Sequence, residues 1–280
     1  MKVIECQNLT QYFGKKKIYE NLNFSVEQGC VVGLLGKNGV GKSTTINILM
    51  GNLKPTSGRC LIYGEESDKL SAKTRARIGL LYEGHVTYDY LKIIDLYKLY
   101  EQEYRVRFKK ERFYDLFKKL EVDEKQKIST LSCGQRSQVV LGLIFASDPD
   151  LLILDDYSLG LDTGYRRLFV EYLKDFIKKG DKSVLMTTHI VNDLDGLLNE
   201  LIIMRKNHKP LQIGFDEFMT TFKGLSLNKD VDIKGIKEIQ SVLELSDQKQ
   251  IFGFFKDEIP CSKEINLSFE DAFLGLTGRY

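Results

Sequence analysis

The sequence predicts an α/β fold with a helical insertion and a small C-terminal α+β extension. Three observations predict it. A hydrophobic run, Cys30 to Leu35, enters the glycine-rich segment GKNGVGKST, Gly36 to Thr44, and an apolar-periodic stretch, Thr45 to Leu49, leaves it. That order reads as strand, tight turn and helix. Continuous apolar runs that read as buried strands, LLILDD at 151–156 and KSVLMTTH at 182–189, recur between helix-period segments. The character of the chain changes near residue 86 and again near residue 223.

Taken in order, residues 1 to about 84 read mostly as strands: Val3 to Cys6, Ile18 to Val26, Val31 to Leu35, Cys60 to Tyr63 and Ile78 to Tyr82. Turn residues Gly14, Gly29 and Gly58 separate them, and Lys15 to Lys17 reads as a hairpin turn. The helix after the glycine-rich segment is expected to end near Met50, with Gly51 as its C-cap. From 86 to about 147, Tyr97, Tyr100, Tyr104, Phe108, Phe113 and Phe117 stand at helical spacing among charged residues. They predict an amphipathic helical subdomain with the aromatics as its core, the competing reading being an exposed docking groove. Strands and helices alternate from 150 to about 213, and 215–223 reads as a short helix. Beyond it, VDIKGIKEIQSVLELS and QIFGFF read as short strands, and Phe269 to Thr277 as a closing helix. The expected division is therefore 1–222 and 223–280.

Composition narrows the function classes. The chain has 280 residues, 42% of them hydrophobic, enough for one large or two modest domains with a real core. A net charge of +2 with dispersed Lys and Arg gives no large field for nucleic acid and none that rejects it, and no nucleic-acid partner is expected. Five cysteines without a C-x-x-C pair argue against a disulfide framework or zinc site and for a reducing compartment. The N-terminus lacks the shape of a signal peptide, and the longest apolar runs, such as Val139 to Ala146, fall far short of a membrane span. A cytoplasmic chain is expected, although its partner need not be soluble.

Gly36 to Thr44 fits G-x-x-x-x-G-K-[ST], the phosphate-binding loop. Gly36, Gly39 and Gly41 let backbone N–H groups, with Asn38 among them, curl around oxyanions. The helix opening at Lys42 adds its positive dipole end. Lys42 is placed to reach β- and γ-phosphates, and the Ser43 hydroxyl, beside Thr44, to sit on Mg²⁺.

Four further elements appear in order: Phe13 before Gly14, LSCGQR at 131–136, LLILDD followed by YSLGLD to 162, and His189 after SVLMTT. Together they resemble the ATP-binding subunit of ABC transporters, over residues 1 to about 222. The resemblance implies the P-loop NTPase fold of ABC ATPases, a mixed sheet with an antiparallel β subdomain and a helical subdomain, with ATP and Mg²⁺ as cofactors and ATP hydrolysis coupled to transport. It implies that Phe13 stacks on adenine, that Gly36 to Thr44 holds the phosphates and that Asp155 orients Mg²⁺. Ser132, Gly134 and Gln135 would meet the γ-phosphate of ATP bound to a second ATP-binding subunit. His189 would contact the γ-phosphate, and Ser158 to Asp162 would couple the two sites. It further implies a separate transmembrane permease subunit and a place at the cytoplasmic face of the membrane. GNLKPTSGRCLIYG resembles the segment after the phosphate loop in transporter subunits, and SFEDAFLGLTGRY the tail of exporter subunits.

The chain departs from that family's pattern at several positions. Asp156 stands where a catalytic Glu is usual, and Tyr157 replaces a proline. Asp is shorter by one methylene, roughly 1.5 Å of reach, and a misplacement of about 1 Å costs ~10²-fold in rate. Slow hydrolysis is therefore expected, the rival reading being an ATP-dependent switch that scarcely hydrolyses. Cys133 replaces a glycine, putting a Cβ near the expected phosphate approach. Glu83 replaces a Gln that touches Mg²⁺ and the membrane subunit, and a carboxylate still suits the cation's water shell.

Overall fold

The computed structural model describes residues 1–84, 87–178, 180–188, 190–194, 196–206 and 208–278. His189 lies outside the described residues. The chain runs β1 (Lys2–Phe13), β2 (Lys16–Glu27), β3 (Val31–Gly36), α1 (Lys42–Leu49), β4 (Ser57–Ile62), β5 (Glu65–Glu66), α2 (Ala72–Arg75) and β6 (Ile78–Leu81). There follow α3 (Ile93–Tyr104), α4 (Lys110–Phe117), α5 (Cys133–Ala146), β7 (Leu151–Leu154), α6 (Thr163–Ile177), β8 (Ser183–Met186), β9 (Glu200–Met204), β10 (Leu211–Gly214) and α7 (Phe215–Thr221). The last stretch holds β11 (Lys223–Asn228), β12 (Ile239–Glu244), β13 (Gln248–Gly253), β14 (Lys263–Ile265) and α8 (Phe269–Thr277).

The central six-stranded sheet has the order β10-β9-β3-β8-β7-β6. It is parallel except for β10, which returns antiparallel on β9. Its inner strands VVGLLG, LLIL and SVLM are buried throughout, which is why they read as unbroken apolar runs. Alternate residues feed two cores. Val31, Leu35, Leu152 and Leu154 pack on one face against α5, α6, α7 and α8. Val32, Leu34, Leu151 and Ile153 pack on the other against α1 and the antiparallel sheet β2-β1-β4-β5. Parallel pairing of β3 with β8 and of β8 with β7 brings the C-terminal ends of all three to one place.

Gly58 is not a separator: it lies inside β4, with φ +80°, beside a register shift in the β1–β4 ladder. A Cβ there would collide with the Asn8 backbone, so the glycine serves close strand approach and not a turn.

The helical subdomain is built as its spacing predicts, although its first helix begins at Ile93 rather than near 86. Tyr97 and Phe113 are buried, and with Leu96, Val139 and Leu143 they form its core. Their rings lie 5.1 Å apart. Tyr100, Tyr104, Phe108 and Phe117 are half-buried around it, so the aromatics pack inward as core. The subdomain is tied to the central sheet by ion pairs. Asp150 meets Arg77 and Arg107, both at 2.6 Å, and Asp148 meets Arg112 at 2.6 Å and Lys182 at 2.9 Å.

The C-terminal stretch forms an antiparallel sheet, β12-β13-β11-β14. Its helix α8 sets Phe269, Ala272, Phe273 and Leu276 into the same apolar cluster as Phe215 and Phe218 of α7. The extension is thus continuous with the core of the main sheet. Ser268 caps α8 through Asp271 N–H at 3.1 Å.

Candidate functional site: a phosphate-binding cleft

The segment after β3 is shaped by its glycines. Gly41 has φ +104° and precedes α1 without a side-chain cap, leaving the first helical N–H groups facing outward. A Cβ at Gly41 would lie 2.6 Å from Ile18 Cγ2, so only glycine closes the turn against β2. Lys42 Nζ curls back over the loop and donates to Gly36 O at 2.7 Å and Lys37 O at 3.3 Å. Burial lowers the pKa of this ammonium, against the pull of Asp156, Asp155 and Glu83.

Two carboxylates face the loop from the end of β7. Asp155 is only 2% exposed. Its Oδ1 accepts from Ser43 Oγ at 3.2 Å and Thr187 Oγ1 at 2.8 Å. Burial raises its pKa, and these two hydroxyls hold it back. Asp156 takes a left-handed backbone, φ +41°. Its N–H donates to Thr187 Oγ1 at 2.8 Å, and its Oδ1 accepts from Ser158 Oγ at 2.8 Å. Ser158 also shares a 2.9 Å hydrogen bond with Thr188. Tyr157, in the place where a proline was expected, is fully buried and stacks on Phe169 with centroids 4.3 Å apart. It pins the turn that carries both acids.

Between these groups lies a cleft of about 650 Å³. Among the residues singled out from sequence, Phe13, Asn38, Gly39, Gly41, Lys42, Ser43, Thr44, Glu83, Asp155 and Asp156 line it. Phe13, half exposed, is at its rim, and Gly36 lies beneath the loop with its α-carbon against the Met204 carbonyl. Ser132, Gly134 and Gln135 do not line it; they stand at the start of α5. Ser132 Oγ accepts from Gln135 N–H at 3.2 Å, and Gln135 Oε1 accepts from Ser132 N–H at 3.0 Å, closing a capping box. The α-carbon of Gly134 abuts the Tyr165 ring. Cys133 is exposed, and its Sγ lies 2.6 Å from where a Gly160 Cβ would be.

Sequence reasoning missed Thr187, which joins both acids, as well as Lys16 and Ile18 at the wall, where Leu159 of the expected coupling loop also stands. The place of Thr187 follows from strand pairing, which the sequence does not state. Leu154 pairs with Met186, so the next residues on the two strands, Asp155 and Thr187, emerge side by side.

The cleft supplies backbone N–H donors, the Lys16 and Lys42 ammoniums, hydroxyls and the three carboxylates of Glu83, Asp155 and Asp156 around one volume, which is the chemistry of a nucleotide phosphate with its cation. Comparison with known proteins agrees. Residues 19–158, half of the chain, match the family model described as ABC transporter. The chain belongs to that family. It is 28% identical to the "Uncharacterized ABC transporter ATP-binding protein YhcH" of Bacillus subtilis, over 99% of this chain and 96% of the relative. It is 29% identical to the "Nod factor export ATP-binding protein I" of Cupriavidus metallidurans, over 74% of this chain and 69% of the relative. A solved structure titled "Structure of ATP binding subunit of ABC transporter" superposes with a TM-score of 0.68 at 23% identity. It covers 78% of this chain and 92% of its own, and establishes the fold. The protein is an ATP-binding, ATP-hydrolysing subunit of an ABC transporter. Membership implies a membrane partner and pairing of cassettes. Among the described residues no helix is long and apolar enough to cross a membrane.

Proposed function

We propose that this chain binds MgATP in the cleft, closes on a second ATP-binding subunit, and drives export through a separate transmembrane permease at the cytoplasmic face of the membrane. The observation that carries the reading is the 3.2 Å hydrogen bond from Ser43 to Asp155, which joins the phosphate loop to the acid of β7. Export is supported by the name of the 29%-identical relative and by the resemblance of the chain's ending to exporter tails.

The donor set fits magnesium. Ser43 and Asp155 offer a hydroxyl and a carboxylate oxygen, and Glu83 adds a carboxylate at the edge of the cleft. A hard cation that keeps its waters and takes phosphate oxygens needs no more from protein. Once bound, Mg²⁺ neutralises charge on the phosphates. Lys42 moves from the Gly36 and Lys37 carbonyls to the phosphate oxygens, and the α1 N-terminus adds its dipole. Phe13 at the rim stacks on the base, and Asn38, Gly39, Gly41 and Thr44 hold the phosphates. Asp156 polarises the attacking water, with Ser158 fixing one of its oxygens, and His189 contacts the γ-phosphate. Ser132, Gly134 and Gln135 of one subunit cover the nucleotide of the other, through N–H groups at the start of α5. Residues 1–222 form the ATP-binding part and 223–280 an appended one.

The shortened acid at 156 makes turnover slow. In the full chain with its membrane partner, Asp156→Glu is expected to raise ATPase turnover by roughly tenfold, short of the ~10²-fold that a misplacement of about 1 Å costs, with ATP affinity unchanged. Equal turnover in both proteins refutes the slow-acid reading.

A further inference from the structure

A second cavity, of about 550 Å³, meets the ATP cleft at Lys16, Ile18, Asn38 and Gly39 and is bordered by Lys37 and Val40 of the phosphate loop. Its floor is Met204, Arg205 and Lys206 at the end of β9. Its other wall belongs to the C-terminal extension: Gln240 and Ser241 of β12, with Leu276, Thr277 and Gly278 at the end of α8. None of these residues lines the ATP cleft, and Lys42, Ser43 and Asp155 do not line this cavity.

Its charge is one-sided. Lys16, Lys17, Lys37, Arg205 and Lys206 all border it, with His208, and no Asp or Glu does among the described residues. Lys17 is balanced nearby by Glu20 at 3.0 Å. Among the described residues the other four cations have no ion pair. In a chain of net charge +2 this is a steep local concentration. Converging cations repel one another and raise the potential of a concave site. Arg205 shows the cost most directly. Its Nη1 donates to Gln240 Oε1 at 2.8 Å, its Nε is buried with no partner, and burial lowers its pKa. Lys37 Nζ approaches within 3.6 Å of where a Gly278 Cβ would be, so the loop's own lysine is turned toward the extension and not toward the cleft.

We infer that this cavity is a second anion site that takes a small solute bearing two or more phosphates, distinct from the ATP cleft. Two or more phosphates suit the number of unpaired cations, and the guanidinium of Arg205 and the amide NH2 of Gln240 supply directional donors. Because Asn38 and Gly39 of the phosphate loop, with Lys16 and Ile18 of β2, border both cavities, occupancy bears on the conformation of the phosphate loop.

Equilibrium dialysis of radiolabelled pyrophosphate tests this, with the full chain saturated by the non-hydrolysable analogue AMPPNP and Mg²⁺ in excess. One pyrophosphate per chain is expected beyond the nucleotide. Its affinity is expected to fall about tenfold or more in Lys206→Glu, whose side chain is exposed, and in Arg205→Gln, as loss of charge-assisted bonds requires. AMPPNP binding is expected to be the same in both variants as in the unaltered chain. No pyrophosphate uptake, or equal uptake by the unaltered chain and both variants, overturns the inference. Failure of AMPPNP itself to bind would count against the proposed function instead, and the comparison of pyrophosphate uptake would still decide the second site.

Discussion

Thr187 is a single hydroxyl on which both acids of the cleft depend, and Thr187→Val is the sharpest test of that dependence. The side chain is 1% exposed, and valine keeps its shape. What is lost is one donor to Asp155 Oδ1 at 2.8 Å and one acceptor for Asp156 N–H at 2.8 Å. A hydrogen bond to a charged group contributes about 1.5–3 kcal/mol, and a buried donor left unsatisfied costs about 1–3 kcal/mol. Ser43 still donates to Asp155, and Asp156 is only half-buried, so the low ends apply. The expected loss is about 2.5 kcal/mol, read as a fall in the urea midpoint at constant slope. Turnover is expected to fall by ~10²-fold, because carboxylates freed to move by about 1 Å lose their aim. Thr187→Ser keeps both bonds and is expected to retain most of the stability and turnover. A Thr187→Val protein within about 0.5 kcal/mol of the unaltered chain, the scatter of neutral substitutions, would refute the reasoning. So would a serine variant as damaged as the valine one, which would assign the effect to the methyl group.

Two other expectations concern packing and pH. Gly134→Ala pushes a methyl into the Tyr165 ring and is expected to cost about 1–3 kcal/mol, the range for overpacking. Thermal unfolding measures it, and a smaller loss in a Tyr165→Leu background is required if that ring is the obstacle. Burial works to raise the pKa of Asp148 and Asp150, but Lys182 and Arg112 beside the first, and Arg107 and Arg77 beside the second, outweigh it and hold both below the ordinary 3.8. Their stabilisation is therefore fully present above the unfolded value and is lost as pH falls through the folded values. Acid unfolding followed by circular dichroism is expected to show a flatter acid limb in Asp148→Asn than in the unaltered chain. Parallel curves would remove these carboxylates from the account.

The phosphate loop was legible because its chemistry is local. Gly36, Gly39 and Gly41 serve backbone conformations within a few residues of Lys42, and the flanking strand and helix carry their own periods. The buried strands β7 and β8 were legible for the same reason, since burial on both faces writes an unbroken apolar run. The aromatic spacing at 97–117 likewise announced a helical core. The reading of Gly58 as a turn failed because the close approach of the Asn8 backbone is set by a strand distant in sequence.

By itself, then, the sequence determined that this chain folds as an α/β protein around a phosphate loop, with the acids of an ABC cassette following in order. Tertiary structure alone decided which residues share a volume. Thr187 joins Asp155 because β8 lies beside β7, and Lys37 faces Gly278 because α8 folds back onto the same apolar cluster as α7. Both juxtapositions come from strand order and from burial of surfaces far apart along the chain. Local periodicity records which face of an element is buried, and carries no information about what it is buried against.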